Sequence, residues 1–478
     1  MITSDFASSP SDHQLELTET MKKHQAHELS RRQFLRRAGA GVALFNILPA
    51  SALPGADTLS PNAKLNIAGI GIGSRGGAVV GEAVGLGHNV VALCDVDEKY
   101  AAKEFAKYPD AKRFKDYRVM LDKMRKEIDG VIIGTPDHTH AVIAMEAMRH
   151  GKHVYCEKPL AHSVDEVRNL MAAAHEHKVI TQLGNQGHSS GSIRQVCEWV
   201  WAGAIGQVHT IHAGCDAFKN VYCQIPNLAK VNEAHEVPAT LDYDLWVGPV
   251  QFRPYSPLWV PWNWRGWMHF GGGVIGDWIC HVVDPAYWAL DLGAPSAVQA
   301  EVTDYDLEKH GLTYPPGTKI TFEFPARKER GPVKLVWSDG NTAIPKPKNF
   351  PENEKLPGTG AILIGDKGMI VHGSHGAADC HLLPSRLMEQ YSGKNAPAEK
   401  IPRVQGHVWD WAEAIRTDRE AGSNFDYGGP LTQVALLGLI AIRFPGQALQ
   451  WDDKAMQFTN NEMANTYVRS SYREGWRL

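Results

Sequence analysis

Between Leu65 and Gly184 short apolar runs alternate with stretches of helical periodicity. The apolar runs are Leu65–Ile70, Asn89–Cys94, Gly130–Ile133, His153–Cys156 and Val179–Leu183; Tyr100–Tyr108, His140–His150 and Val164–Lys178 carry the helical pattern between them. This alternation predicts a parallel sheet covered by helices on both faces, with ligands at the carboxyl ends of its strands. Beyond Gly184 the texture changes. Ile193–Ala202 reads as a helix, and β-rich runs come next at Gln207–Gly214, Ser296–Asp304, Lys319–Phe324, Val333–Trp337 and Ala361–Val371. They predict an antiparallel sheet with helices on one face. Pro345–Gly360 reads as a surface loop or flap, and Gly406–Thr417 and Pro430–Phe444 as helices that pack back on the first domain.

The first apolar run leads directly into Gly71-Ile72-Gly73-Ser74-Arg75-Gly76, and Ala78–Ala83 continues as a helix. Strand, glycine turn and helix in that order suit a dinucleotide. Gly71 permits the turn, Gly73 lets the backbone approach a pyrophosphate, and Gly76 lets helix pack on strand, with the free N–H groups of the helix facing the phosphate charge. The second apolar run ends in Asp95, 19 residues after Gly76. A carboxylate there accepts hydrogen bonds from an adenosine ribose and repels a 2′-phosphate, which favours NAD; Arg75 leaves NADP open. Two more strand ends carry loops that open onto the nucleotide: Gly134-Thr135-Pro136-Asp137-His138-Thr139-His140 and Cys156-Glu157-Lys158-Pro159-Leu160. Candidate cofactor-binding residues are thus Gly71, Gly73, Ser74, Arg75, Gly76, Asp95, Thr135, Pro136, His138, His140, Glu157, Lys158 and Asn185. The expected class is α/β: a dinucleotide-binding domain at 62–184, an α+β substrate-binding domain with a large, mostly antiparallel sheet covered by helices on one face at 185–450, and a tail at 451–478.

Composition narrows the partners. With 478 residues, 43% of them hydrophobic, and a formal net charge of −4, the chain has room for two domains and carries no basic run outside its beginning, which argues against nucleic acid. That beginning resembles a twin-arginine export signal: Arg31-Arg32 precede Phe34-Leu35, a mildly apolar stretch extends from Ala38 to Pro49, and Ala50-Ser51-Ala52 offers a cleavage site. Residues 1–55 are therefore set apart as signal and linker, and a periplasmic or otherwise exported protein is expected. With that segment removed, no stretch is apolar for long enough to span a bilayer. The seven cysteines form no CxxC pair, so neither a zinc knuckle nor a disulfide framework is indicated, although Cys215 and Cys223 could bridge in an oxidising compartment.

The second dense stretch is Gly271-Gly272-Gly273-Val274-Ile275-Gly276-Asp277-Trp278-Ile279-Cys280-His281-Val282-Val283-Asp284. On a helix Asp277 and His281 share a face, with Asp284 three residues further. Removing hydride from a secondary alcohol requires its hydroxyl proton to leave, and imidazole is matched to take it near neutral pH. Asp277 then orients the imidazole or binds a neighbouring hydroxyl, and Lys158, arriving from the nucleotide domain, stabilises alkoxide charge. The alternative is a metal held by Asp277 and His281 with His188 or His212, but no short cluster completes a ligand set. Pro257–Phe270 places four tryptophans, Trp259, Trp262, Trp264 and Trp267, among Asn263, Arg265 and His269. They build either the walls of a sugar site or aromatic packing under a loop. Asn185-Gln186-Gly187-His188 adds a polar cluster on the same side. Substrate-binding candidates are Gln186, His188, Trp264, Arg265, Asp277 and His281.

Together GIGIGSRG, TPDHTH, CEKPL and GDWICHVVD resemble the glucose–fructose oxidoreductase, inositol dehydrogenase and MocA (Gfo/Idh/MocA) family over nearly the whole mature chain. The resemblance implies a Rossmann domain at 62–184 followed by an open-faced substrate-binding and oligomerisation domain at 185–450, a tightly held nicotinamide cofactor, a catalytic lysine at Lys158 with the aspartate–histidine pair Asp277 and His281, a sugar or cyclitol substrate, and homo-oligomers, dimeric or tetrameric, formed through the open sheet face. The expected function is an exported NAD(P)-dependent oxidoreductase acting on a secondary hydroxyl of a sugar or glycoside, at C3 for example. Two alternatives stand beside it: a redox-neutral, NAD-dependent glycoside hydrolase or lyase that oxidises C3 transiently, and a non-catalytic sugar-binding protein on the same fold.

Overall fold

Each apolar run of the first half becomes a strand. In the computed structural model, which describes residues 59–60, 63–217 and 219–478, these strands are β1 (Asn66–Ile70), β2 (Asn89–Cys94), β3 (Lys112–Phe114), β4 (Gly130–Ile133), β5 (His153–Cys156) and β6 (Thr181–Leu183). All are parallel, in the order β3-β2-β1-β4-β5-β6. β3 carries no apolar run because it lies at the sheet edge and two of its three residues are exposed. The connecting helices are α1 (Arg75–Gly85), α2 (Ala102–Lys107), α3 (Tyr117–Lys123), α4 (Asp137–Arg149) and α5 (Val164–His177). The boundaries of α5 are set locally. Ser163 Oγ accepts from the Glu166 backbone and Glu166 Oε2 accepts from the Ser163 backbone, a reciprocal cap at the N-terminus. The helix stops at Lys178 in the left-handed conformation.

α6 (Gly191–Trp201) leads into β7 (Val208–Cys215), and α7 (Gly273–Val282) and α8 (Asp284–Leu290) precede β8 (Ala297–Thr303), β9 (Gly317–Phe324), β10 (Val333–Gly340), β11 (Thr359–Gly365), β12 (Met369–Gly373) and β13 (His381–Leu383). α9 (His407–Thr417) and α10 (Phe425–Ile442) come next, then β14 (Leu449–Asp452) and β15 (Gln457–Phe458). The nine strands run β13-β12-β11-β7-β10-β9-β8-β14-β15, antiparallel except for the central β7–β10 pair. The sheet is therefore mixed at its centre. The expected single run Ala361–Val371 is a hairpin, since Gly365–Gly368 turn the chain back and β11 pairs with β12. Ile344 and Phe350, at and within the Pro345–Gly360 flap, are buried against Ile362, Met369 and Val371, so the flap covers one end of the open face. Elsewhere that face carries ion pairs between neighbouring strands, Lys319–Glu301 and Lys334–Glu323.

Two late helices join the domains. Trp411 of α9 packs beneath the parallel sheet against Ile132 and Tyr155. α10 fills the space between α5, α7 and the second sheet. Its 18 residues are long and apolar enough to cross a membrane, whereas the sequence pattern predicts no such stretch; 78% of them are buried here as a core helix. The boundary at 450 also moves, because β14 and β15 extend the second sheet and residues 472–478 double back over both domains. The export signal assigned to 1–55 lies outside the described residues.

Candidate active site

β1 delivers the chain into a turn whose first position only glycine tolerates. Gly71 has φ +74°, and a Cβ there would lie 2.5 Å from Thr135 Cγ2. A Cβ on Gly76 would collide with the Gly71 carbonyl oxygen, so helix and strand meet backbone to backbone. Asp95, at the end of β2, braces the turn. Its Oδ2 accepts from the backbone N–H groups of Ile72 (2.9 Å) and Gly73 (3.1 Å), and Oδ1 accepts from Asp97 N (3.0 Å). Burial pushes this carboxyl up to about 6, and the three N–H groups offset only part of that. Tyr100 packs its ring where a side chain on Gly73 would stand.

The start of α1 is built for an anion. Ser74 makes no side-chain cap and the first turn holds no acid, so the helix N–H groups there are left without a side-chain acceptor. Arg75 adds a cation. Its Nε donates to Glu157 Oε1 at 2.9 Å, while Nη2 is buried without any partner. An orphaned guanidinium nitrogen beside an uncapped helix start fits a pyrophosphate, and this is the observation on which a dinucleotide can be placed here.

A cavity of about 330 Å³ runs from this turn to the chemical groups, its wall including Gly71, Asp95, Lys158, Asp277 and His281. Lys158, on the loop after β5, ion-pairs with Asp277 Oδ1 on α7. Tyr222 Oη donates to Asp277 Oδ2 at 2.5 Å, Trp278 Nε1 donates to Tyr222 Oη at 2.9 Å, and Arg265 Nε lies 3.4 Å from Asp277 Oδ2. Burial alone would raise the Asp277 carboxyl, but Lys158, Arg265 and the bonds from Lys158 and Tyr222 hold it well below the ordinary carboxylate range. Burial opposes the Lys158 charge too, and Asp277 and Glu157 more than restore it, so the ammonium stays protonated. His281 differs. Burial, then the nearby Lys158 and His375, drive its imidazole well below its usual value, so the ring is neutral. Its Nδ1 is enclosed without a partner.

Asp277 does not orient that imidazole, as the spacing suggested, because its two oxygens are engaged by Lys158, Tyr222 and Arg265. His375 does the packing instead: its ring stacks on His281 with centroids 4.1 Å apart and 19° between planes. It comes from the turn after β12, where His375, Gly376 and Ala377 all have positive φ. Neither His375 nor Tyr222 is legible in the sequence. The glycines flanking His375 mark a turn, but nothing local says which way the turn points.

Asp284 leaves the group as well. Val283 joins α7 to α8 with helical dihedrals, its N–H donating to Ile279 O (2.8 Å) and its carbonyl accepting from Tyr287 N (2.8 Å), and Asp284 accepts from His188 Nδ1 (3.1 Å), Asn185 Nδ2 (3.1 Å) and Tyr427 Oη (2.5 Å) in a separate buried cluster. Asn185 and His188 therefore tie the exit of β6 to α8 rather than facing the cavity. His138 is a staple too, its Nε2 2.9 Å from the Trp246 carbonyl and its Nδ1 3.2 Å from that of Phe270. Burial takes it down to about 3. His140, by contrast, reaches the cavity wall while its ring bridges the Pro159 and Thr135 carbonyls. Ser74, Thr135, Pro136, Glu157 and Gln186 also line the cavity. The metal alternative lacks its third ligand, since His188 is held by Asp284 and His212 Nδ1 bonds to Pro345 O on the second sheet. All seven cysteines are free, Cys215 and Cys223 included.

The tryptophan stretch divides. Trp259 and Trp267 pack edge to face beneath the loop, whereas Trp262 and Trp264 line the cavity with the Arg265 guanidinium 4.0 and 4.2 Å from their rings. Both readings of the stretch are thus realised, by different residues.

Residues 65–185 match the family description "Oxidoreductase family, NAD-binding Rossmann fold", and residues 207–324 match "Oxidoreductase family, C-terminal alpha/beta domain", together half of the chain. Among curated proteins the chain is similar to a levoglucosan dehydrogenase of Pseudarthrobacter phenanthrenivorans, 25% identical over 218 residues that make up 45% of this chain and 46% of that protein. It is also similar to an inositol 2-dehydrogenase of Salmonella paratyphi B, 32% identical over 128 residues, 26% of this chain and 38% of the other. The matches thus span less than half of either relative. The crystal structure of an aldose–aldose oxidoreductase from Caulobacter crescentus, complexed with glycerol, superposes with a TM-score of 0.53 at 18% identity, over 81% of this chain and all of that one. At that identity the likeness is one of fold.

Proposed function

Since the chain belongs to the Gfo/Idh/MocA oxidoreductase family, we propose that it is a nicotinamide-dependent oxidoreductase of sugars or glycosides, acting on a ring secondary hydroxyl. The observation that carries this reading is the meeting of Lys158 and His281, delivered by separate domains, on the wall of a cavity continuous with the glycine turn. Gly71, Gly73, the start of α1 and Arg75 would hold the pyrophosphate, with Asp95 at the adenosine ribose; the position of that acid favours NAD over NADP. The nucleotide, when bound, supplies a hydride acceptor. The chain supplies the rest. Neutral His281 takes the hydroxyl proton on a ring nitrogen, which leaves negative charge developing on the substrate oxygen. The Lys158 ammonium, kept protonated by Asp277, stabilises that charge. Arg265, Trp262 and Trp264 offer a flat wall and donors for a sugar ring.

Export by the twin-arginine route belongs to the same proposal and rests on Arg31-Arg32 and the apolar stretch after them. Free nucleotide is scarce outside the cytoplasm, so the cofactor stays bound between turnovers. Assembly as a dimer or tetramer through the uncovered face of the second sheet is the expected oligomer.

The test begins with mass spectrometry of nucleotide released from the purified protein. A panel containing levoglucosan, myo-inositol and glucosides, monitored by reduced-nicotinamide absorbance, comes next. Sugar-dependent reduction that is lost in His281→Gln supports the proposal. Absence of bound nucleotide, together with no absorbance change on adding NAD and sugars, overturns it. Release of product from an activated glycoside without net reduction assigns the redox-neutral alternative.

A further inference from the structure

The cavity does not end at the glycine turn. It continues past Asp95 to Lys115 and Tyr117, just behind β3, and there Trp476 joins its wall. In the order β3-β2-β1-β4-β5 the Lys158 loop leaves β5, four strand steps from β3. At about 4.8 Å per step the two ends stand roughly 19 Å apart. A sugar ring does not bridge that distance, whereas an extended dinucleotide does.

The segment that brings Trp476 there is anchored on both domains. Tyr472 Oη donates to Glu166 Oε1 on α5 at 2.7 Å. Arg473 spans to the second domain: Nε donates to Gly248 O (2.6 Å), Nη1 pairs with Asp244 Oδ1 (2.6 Å), Nη2 donates to Asp244 O (2.8 Å), and its backbone N–H donates to Pro249 O (3.0 Å). Trp476 N then closes a turn onto Arg473 O at 3.1 Å. The Arg118 guanidinium, itself held by Asp116, lies 4.6 Å from the indole centroid. Ordering such a stretch costs conformational entropy, and this one is ordered with a large aromatic ring at the mouth of the site.

We propose that Trp476 forms the adenine-facing wall of the nucleotide site and that residues 472–478 act as a strap that retains the nucleotide. The inference rests on the nicotinamide-nucleotide reading above. The indole supplies an aromatic surface for the π-face of a purine. Release requires Arg473 to let go of Asp244, Gly248 and Pro249, or the base to slide out past the ring. The strap therefore acts chiefly on the dissociation rate.

The test uses the full chain stripped of nucleotide, with NADH monitored by its fluorescence and ADP-ribose, which lacks the nicotinamide, by competition. Trp476→Ala is expected to weaken both probes by the same factor, on the order of 10- to 100-fold, mostly through faster release. Trp476→Phe keeps an aromatic face and restores most of the affinity. Arg473→Ala, which unhooks the strap, speeds NADH release with the indole still present. Unchanged NADH affinity in Trp476→Ala overturns the strap, as does loss of NADH binding with ADP-ribose unaffected. In both cases wild-type binding of NADH leaves the nucleotide reading standing. A wild-type chain that binds neither probe overturns that reading and the strap with it. Melting temperatures of the variants within a few degrees of wild type tie the losses to the contact rather than to unfolding, and the Phe variant decides if the Ala variant folds poorly.

Discussion

Replacing Asp277 by asparagine preserves shape and removes one charge, which isolates what the carboxylate does. In the native protein it is the shared counter-ion of Lys158 and Arg265 and accepts from Tyr222. Both members of the Lys158–Asp277 pair are about 15% exposed, so solvent screens them little. Breaking a buried pair by deleting one partner costs about 3–5 kcal/mol, because the other charge is left uncompensated. For a body the size of Thr58–Leu478, at ~2.1 cal/mol/K per residue, this is a fall in Tm of roughly 3–6 °C. The double variant Asp277→Asn with Lys158→Met removes the stranded cation as well and recovers much of the loss. The pH dependence has a definite sign. The folded carboxyl is held well below its ordinary value of 3.8, so its contribution is complete above that value and disappears as pH falls through the folded value. Melting curves of wild type, both single variants and the double variant at pH 7.5, repeated down to pH 3.5, form the assay. An Asp277→Asn protein that melts within 1 °C of wild type at pH 7.5 refutes the counter-ion role. So does a gap that widens on acidification, or a double variant less stable than either single one.

The same geometry sets three further outcomes. Gly71→Ala forces a side chain into a left-handed position facing Thr135, so it lowers stability by about 2 kcal/mol and NADH affinity at least tenfold, read by melting and titration; an unchanged titration contradicts the turn's role. His281→Gln lowers sugar-dependent reduction by roughly 10²–10⁴-fold while NADH affinity changes less than about threefold, and parallel losses in both would point to unfolding instead. Because burial, then Lys158 and His375, depress the His281 imidazole, the acid limb of the pH–kcat/KM profile lies below the range of an ordinary imidazole. His375→Phe keeps the stacked ring and removes the neighbouring titratable group, so that limb moves toward higher pH; a shift in the opposite direction contradicts the pairing.

Elements are legible where one stretch of chain settles its own structure. Ser163 and Glu166 cap α5 within a single turn, and Gly71 needs positive φ because the strand that feeds it must reverse into α1. Legibility fails where a short segment is ambiguous. Asp284 follows Asp277 and His281 at helical spacing, but nothing local shows that its partners are His188, Asn185 and Tyr427 from other parts of the chain rather than Asp277. The hairpin inside Ala361–Val371 is legible, because Gly365-Asp366-Lys367-Gly368 is a polar, glycine-flanked turn between two apolar runs, and reading the stretch as one strand passes over it. The length and apolarity of α10 are hidden because Pro430 reads as a helix start, although the helix already runs from Phe425.

Local sequence by itself determined the strand–turn–helix at Gly71, the acid at the end of β2, the loop carrying Lys158 and the helix carrying His281, and hence the two-domain α/β class. Those features depend on backbone conformation and periodicity within about a dozen residues. Tertiary structure alone decided that Asp277 serves Lys158 rather than His281, that His375 stacks on His281, that His138 and His188 are structural, and that Trp476 closes the far end of the cavity. Each of these joins residues distant along the chain, and such contacts leave no periodic trace, because they are set by how two sheets and the helix between them pack.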